Sequence, residues 1–340
     1  MCFAEIRAGH LVKCSIVFII TICLLLSSGL FLSGCSAASV PLTVQSFLLD
    51  TVVSVTFYRE KDRAAVNDAL ALCQELELIF SRTDSRSELY HLNESDQAQV
   101  SDALLTVLQR SLDCCEYSGG RFDITMGGVS ELYDFAGTDP QIPAPEAIAS
   151  ALTHVGYHNI RIDGNCVRIE DPETVVDLGA AAKGYIADEM KALLLSRGVE
   201  HAIISLGGNI LTLGTKPDGE HYQIGIRDPE KESELLSAVA EVSDLSVVTS
   251  GIYERFFVKD GVTYHHILDS VTGLPVQNGL RSVTIVGPCS MDCDLLSTAC
   301  FTMGTEDALA LIEKLDGYEA LFIREDKTLF SSSGFPFAEG

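Results

Sequence analysis

Residues 159–208 read NIRIDGNCVRIEDPETVVDLGAAAKGYIADEMKALLLSRGVEHAIISLGG, and this stretch decides the fold class. Short strands are expected around 159–162 and 167–169, joined as a hairpin by a turn at Asp163-Gly164. A helix follows over about 181–196, closed by Gly198, and a strand over 201–206 leads into Gly207-Gly208. A hairpin feeding a helix is not the regular alternation of a doubly wound sheet, so the class is α+β.

The flanking sequence agrees. Residues 46–58, SFLLDTVVSVTFY, are rich in β-branched and aromatic residues and read as one strand. Val66, Leu70, Cys73, Leu76 and Phe80 then recur at helical spacing. A second helix over 101–117 buries Leu104, Leu108, Leu112 and Cys115, and Gly119-Gly120 stops it. Residues 137–145 are turn-rich and read as a surface loop, with a short helix over 145–154. Strands near 222–227, 245–249, 255–258, 262–268 and 281–287 make the second half mostly β. Helices over 291–303 and 305–315 and a strand over 318–324 complete a single body spanning 43–340, of antiparallel and mixed sheets with packed helices. Neither a Gly-x-Gly-x-x-Gly loop nor a Walker loop occurs, which argues against the usual dinucleotide and nucleoside-triphosphate folds.

The chain has 340 residues, 23 Lys and Arg against 48 Asp and Glu, and a formal charge of −25. Such an acidic protein is a poor nucleic-acid binder, because that affinity comes from Lys and Arg displacing counterions from phosphates. It is equally poor at resting on anionic lipid through basic residues. At 47% hydrophobic residues it can bury a core and is not a disordered acidic tail.

The N-terminus reads as targeting. Arg7 and Lys13 precede an apolar run over 16–26, and Leu32-Ser33-Gly34-Cys35 ends it, which predicts a signal over 1–34. The Leu-x-Gly-Cys ending resembles a bacterial lipobox, with Cys35 lipidated and 35–42 as tether; an uncleaved membrane anchor is the alternative. Both place the body outside the cytoplasm. Removing 1–34 takes Glu5, Arg7 and Lys13 with it, leaving 21 basic against 47 acidic residues, or −26. Besides Cys35, seven cysteines remain. An odd number argues against a full disulfide framework. Cys289, Cys293 and Cys300 read as small buried thiols rather than metal ligands.

Four polar clusters could carry chemistry. Gly119-Gly120-Arg121-Phe122-Asp123 places a carboxylate beside glycines that allow close backbone approach. In 175–185, VVDLGAAAKGY, a strand delivers Asp177 and small residues to a helix start suited to an anion, with Lys183 in reach of a phosphate. Thr249-Ser250-Gly251 is paired with Tyr264-His265-His266-Ile267-Leu268-Asp269, where adjacent histidines on a strand face opposite sides. In 291–299, MDCDLLSTA, Asp294 and Thr298 stand one helical turn apart, an oxygen pair suited to Mg²⁺. Each has a structural alternative: a cap and turn, tight helix packing, a structural histidine, an N-terminal cap. Together they fit divalent-cation-assisted pyrophosphate chemistry with a base to activate a nucleophile.

With these residues in view, the sequence resembles the FAD:protein FMN transferase family, the ApbE-type flavin transferase lipoproteins, over roughly residues 43–335. The motifs run in the family's order: LDTVVSV at 49–55, SEL…LN at 87–93, GRFD at 120–123, DLGAAAKGY at 177–185 and LGGN at 206–209. TSG at 249–251, HILD…TG at 266–273 and DLLSTA at 294–299 complete them. The resemblance implies splitting of FAD at its pyrophosphate, transfer of FMN to a Thr or Ser hydroxyl of an exported flavoprotein, and departure of AMP. It implies Mg²⁺ on the side chains of Asp294 and Thr298 and the Ala180 carbonyl, and a role for His266 in activating the acceptor. Leu49, Thr83, Arg121, Phe122, Asp123, Asp177, Lys183 and Ile267 match FAD-contacting positions. Thr83 stands where many members carry an aromatic residue, so Phe122 or Tyr185 is expected to supply stacking. Ser270 replaces a usual Pro, and Arg121 a commoner small residue. FAD hydrolysis without a protein acceptor, and flavin binding without turnover, are the competing readings.

Overall fold

The computed structural model describes residues 40–338 except 136, 138, 139 and 230–234. The expected signal over 1–34, the expected lipidation position Cys35 and most of the expected 35–42 tether therefore lie outside the described residues. In chain order the body contains β1 (Leu42–Leu48), β2 (Thr51–Phe57), α1 (Arg63–Phe80), α2 (Glu88–Ser95), β3 (Gln97–Gln99) and α3 (Asp102–Tyr117). Next come α4 (Gly127–Tyr133), α5 (Pro145–Leu152), β4 (Ile160–Asp163), β5 (Cys166–Ile169), α6 (Ala182–Ser196), β6 (Ala202–Leu206) and β7 (Asn209–Leu213). The remainder is β8 (Tyr222–Arg227), β9 (Leu236–Val242), β10 (Ser246–Gly251), β11 (Phe256–Lys259), β12 (Val262–His265) and β13 (Leu280–Gly287). It ends with α7 (Ser290–Met303), α8 (Thr305–Ile312), β14 (Glu319–Arg324) and β15 (Leu329–Ser331).

An eight-stranded antiparallel sheet, ordered β1-β2-β6-β7-β10-β13-β14-β15, carries the body. The architecture is α+β. Strand alternation separates the two faces of this sheet. On one face Val53, Val55, Ile204 and Leu206 pack with α1, α3 and α6. Further along the same face Val248, Val283, Ile285 and Phe322 pack against α7 and α8. On the opposite face Val247, Val286 and Leu321 receive Tyr222, Ile226 and Ala240 of the β8–β9 hairpin. A smaller cluster of Val129, Tyr133, Ile148 and Leu268 joins α4 and α5 to the loop after β12.

Three expectations need correction. Residues 46–58 are not one strand: Leu48 pairs with Thr51 across a two-residue turn, with Leu49 at φ 54° and Asp50 at φ 56°. Leu-Asp is not a turn pair that sequence reading expects there, since left-handed backbone favours Gly or Asn. Glu77 supports the strained turn by accepting the Leu49 N–H at 2.8 Å. The strand expected before Lys183 is extended chain with a single parallel bridge, Val175 to Met126. The hairpin turn after β4 centres on Gly164-Asn165, one residue later than expected, since Asp163 still pairs with Cys166.

Candidate active site

Two helices create the site by approaching closely. A Cβ at Gly184 in α6 would lie 2.4 Å from the Ser290 carbonyl oxygen and 2.6 Å from the Met291 Cα in α7. Only glycine permits this contact. Asp188, one turn further along α6, accepts the Ser290 N–H and the Met291 N–H, each at 2.9 Å, and so caps α7 from outside its own chain segment. Burial raises the pKa of Asp188, and these two N–H donors oppose the rise.

This proximity supplies a partner for one helix-start donor. Gly184 is the third residue of α6, so its N–H is one of the first four that have no partner inside the helix. It donates to Asp294 Oδ2 at 2.9 Å, and the Ala180 carbonyl, which precedes the helix, accepts no hydrogen bond among the described residues. Asp294 is 4% exposed. Burial pushes its carboxyl pKa up, while Lys183, the Asn209 amide and the Gly184 N–H favour the ionised form. Asn209 Nδ2 is itself buried without a partner within hydrogen-bond distance.

The hydroxyls beside Asp294 are ordered by elimination. Ser297 Oγ donates to the Asp294 carbonyl at 2.8 Å, so it accepts from Ser250 Oγ, 2.7 Å away. Ser250 has then used its proton and accepts from Thr298 Oγ1 at 3.0 Å. Thr298 thus keeps its lone pairs. An unpaired carbonyl, a buried carboxylate and a hydroxyl with free lone pairs form an oxygen donor set of the kind that hard cations prefer. The residues fit Mg²⁺.

Groups around this cluster supply charge and a base. Lys183, the second residue of α6, acts electrostatically on Asp294, Glu254 and His266. Glu254 follows β10, and burial raises its pKa against the influence of Lys183. His266 Nδ1 lies 3.2 Å from the Arg255 carbonyl. A carbonyl only accepts, so Nδ1 carries the proton and Nε2 keeps its lone pair. Burial, then the charge of Arg255, hold the imidazole well below its ordinary pKa. His266 is neutral at physiological pH. Its neighbour His265 is 5% exposed, with Nε2 3.1 Å from the Val276 carbonyl and its ring edge-on to Phe301, and is structural.

The other expected positions divide. Asp177 pairs with Arg82 at 3.3 Å and accepts the Gly179 N–H at 2.8 Å, while Asn93 clamps the neighbouring Val176 through both main-chain groups. Thr83 is exposed beside Arg82 in the turn after α1. Leu49 sits in the strained hairpin turn. Asp123 spends its oxygens on the loop, accepting from Thr125 N, Thr125 Oγ1 and Tyr157 N. Arg121 points away, donating to the Met303 carbonyl and pairing with Asp307 at 2.8 Å. The side chains of Phe122 and Ile267 are buried in core clusters, which leaves their main chains for a ligand. The Phe122 ring, expected to stack on the ligand, is therefore closed off in the core, and the Tyr185 ring packs edge-on against Phe80 at 5.5 Å. Cys293 and Cys300 are buried free thiols, as expected, and Cys289 precedes α7 as a half-buried one.

Sequence reading passed over Asn209, Ser250, Glu254 and Arg82. The first two lay inside quoted motifs, LGGN and TSG. Glu254 and Arg82 carry no local signal; only the fold places them.

Fold and site together describe an antiparallel-sheet α+β body whose packed helices hold an oxygen donor set for a hard cation beside a lysine and a neutral histidine. The ApbE family matches residues 49–322, and the chain belongs to that family. It is 37% identical over 310 residues to the FAD:protein FMN transferase of Treponema pallidum, covering 84% of this chain and 85% of the relative. It is 28% identical over 327 residues to the FAD:protein FMN transferase of Vibrio cholerae, covering 92% and 97%. Among solved structures, the ApbE protein of Thermotoga maritima superposes with a TM-score of 0.80 at 31% identity, covering 86% of this chain and 97% of that one. The flavin transferase ApbE from Vibrio cholerae gives a TM-score of 0.79 at 28% identity, covering 88% and 100%.

Proposed function

We propose that this protein transfers FMN from FAD to a Thr or Ser hydroxyl of an exported flavoprotein, releases AMP, requires Mg²⁺, and works outside the cytoplasm on a lipid anchor at Cys35. The observation that carries this reading is the bond from the Gly184 N–H to Asp294, which ties the start of α6, just after the unpaired Ala180 carbonyl, to the helix that carries Asp294 and Thr298.

The Ala180 carbonyl, the Asp294 carboxylate and the Thr298 hydroxyl would hold Mg²⁺. When bound, the ion supplies positive charge to offset that of the pyrophosphate. Lys183 supports the same phosphate from the start of α6, where main-chain N–H groups also favour an anion. The Nε2 lone pair of His266 accepts the proton of the acceptor hydroxyl, because the Arg255 carbonyl fixes the other nitrogen as a donor. The acceptor oxygen forms a bond to the FMN phosphorus, the bond from that phosphorus to the bridging oxygen breaks, and AMP carries the bridging oxygen away.

Incubation of the purified protein with FAD, MgCl₂ and a flavoprotein bearing a Thr acceptor tests the reaction. Covalent flavin fluorescence on the partner with equimolar AMP is the expected result. AMP without labelling would make the protein an FAD hydrolase, and neither product would reduce it to a flavin binder. Cys35→Ser should move the protein from the detergent phase to the aqueous phase; unchanged partitioning would overturn the lipid anchor.

A further inference from the structure

A second cleft, of about 370 Å³, lies on the sheet face opposite α7, between the main sheet and the β8–β9 hairpin. Its lining includes Gly207, Gly208, Gly225, Arg227, Thr249 and Glu254. Two features join it to the active site. Glu254 stands on its rim and also acts electrostatically on the Lys183–Asp294 cluster. The Gly207-Gly208 turn on its floor leads directly into Asn209, whose amide faces Asp294.

The cleft wall is a strand edge. β8 pairs with β9 alone, so among the described residues its other edge has no strand partner. The main-chain direction along that edge follows from β9. Glu241 N donates to the Pro336 carbonyl, and the Val239 carbonyl accepts from Ala338 N. Glu241 and Val239 therefore turn their main-chain groups away from β8. Their partners in register are Gln223 and Gly225. In an antiparallel ladder, both residues of such a pair point their N–H and C=O outward. Gln223 and Gly225 thus present a donor and an acceptor each along the free edge, and Gly225 does so in the cleft lining. The cleft volume falls within the roughly 300–1,000 Å³ of ligand sites, and glycines at 207, 208 and 225 leave the main chain accessible.

We infer that the acceptor flavoprotein docks here by β-augmentation: an extended segment flanking its Thr or Ser adds to the free edge of β8 at Gln223 and Gly225. The segment passes the Gly207-Gly208 turn and presents its hydroxyl at the Glu254 rim. This inference rests on the proposed transfer to a protein hydroxyl. Main-chain pairing reads extended conformation rather than side-chain identity, so the cleft selects an exposed strand-like loop.

Gly225→Pro removes the outward N–H without removing a bond to β9, and Gly225→Ala keeps that N–H as the control. The nearest atoms to a Cβ at this position belong to the Leu236 side chain, its terminal methyl carbons 2.8 and 2.9 Å away. The expected result is a KM for the acceptor flavoprotein raised about tenfold in Gly225→Pro, the size of one main-chain donor lost from a buried ladder. FAD affinity should stay within twofold, and Gly225→Ala should resemble the wild type. An unchanged KM in Gly225→Pro, or an equal loss in Gly225→Ala, would overturn the docking inference. Hydrogen exchange on the wild-type protein gives an independent reading that needs no substitution. The acceptor flavoprotein should slow exchange of the Gly225 amide at least fivefold, and FAD alone should not. Slowing by FAD alone would assign the cleft to FAD instead, and no slowing by either would refute the docking. If the wild type neither labels the acceptor nor releases AMP, the transferase reading fails; labelling with Gly225→Pro at unchanged KM sinks only the docking.

Discussion

Gly184→Ala tests whether helix contact and cation site are one feature. The added methyl would meet the Ser290 carbonyl oxygen at 2.4 Å, the Met291 Cα at 2.6 Å and the Ser290 carbonyl carbon at 2.7 Å. All three are main-chain atoms, so no side chain can swing aside, and α6 and α7 must separate by about 1 Å to restore ordinary contact. Overpacking of this kind costs about 1–3 kcal/mol. The same separation lengthens the Gly184 N–H bond to Asp294, a hydrogen bond to a charged group that contributes about 1.5–3 kcal/mol. A total near 4 kcal/mol, set against an unfolding entropy of about 2.1 cal/mol/K per residue over roughly 300 residues, lowers Tm by about 6 °C. The functional consequence is separate: the start of α6 moves away from Asp294, and the proposed cation site loosens. Thermal unfolding without metal reads the first effect, and the Mg²⁺ concentration for half-maximal AMP release reads the second. A Tm within 1 °C of wild type with unchanged Mg²⁺ dependence would refute the reasoning.

Asp294→Ala should abolish turnover while the protein remains folded; full activity in the FAD and Mg²⁺ assay would remove Asp294 from the cation site. Transfer should stay level across pH 6–7 if neutral His266 is the base, because its pKa is depressed, and should fall only in more acid solution; a kcat profile with a midpoint near the ordinary imidazole value of about 6.5 would contradict this. Arg110→Gln should cost about 1–2 kcal/mol at pH 7, since it breaks a bidentate pair with the buried Asp292 whose guanidinium is partly solvated. Burial would raise the Asp292 pKa, but Arg110 and Tyr318 together hold it below the ordinary value, so this stability is present above about pH 4 and lost as pH falls through the folded pKa. Urea midpoints of the two proteins should therefore converge in acid, and a pH-independent difference would disprove the linkage. Asp50→Gly should stabilise by about 1 kcal/mol, because it relieves a left-handed residue in the β1–β2 turn; an unchanged urea midpoint would show that the turn holds no such strain.

Periodic elements were legible and special ones were not. The α1, α3, α6 and α7 helices are readable because apolar spacing, Gly stops and the Ser101 cap agree. The short helices α2 and α4 and the strands β3, β7, β9 and β15 were missed, being too brief or too evenly apolar to show a period. The β1–β2 turn was missed because its residues are held left-handed by tertiary support, including the Glu77 carboxylate, against their own preference. At the site, spacing along one helix revealed Asp294 and Thr298. The role of Gly184 was invisible, because it depends on a helix more than a hundred residues away. Phe122 misled for the reverse reason: a motif position touching a ligand says nothing about whether side chain or main chain does so.

The acidic balance of the chain sharpens what the site must contain. Asp294 and Glu254 both have pKa values raised by burial, and Lys183 is the cation acting on both. Bringing a pyrophosphate into this group would add negative charge beside buried Asp294 and solvent-exposed Glu254, with Lys183 the cation acting on both and Arg227 and Arg255 acting on Glu254. At about 4 Å and an effective dielectric of 20, each like-charge pair costs about 4 kcal/mol. One lysine cannot offset that, and protonating Asp294 would weaken the charge-assisted bond it accepts from the Gly184 N–H. On the proposed function a divalent cation would resolve both problems, because it would convert Asp294 from a repulsive neighbour of the phosphate into a ligand. The unpaired Ala180 carbonyl, the lone pairs left on Thr298 and the raised pKa of Asp294 would then all suit a site completed by a positive charge that the protein's own side chains do not supply.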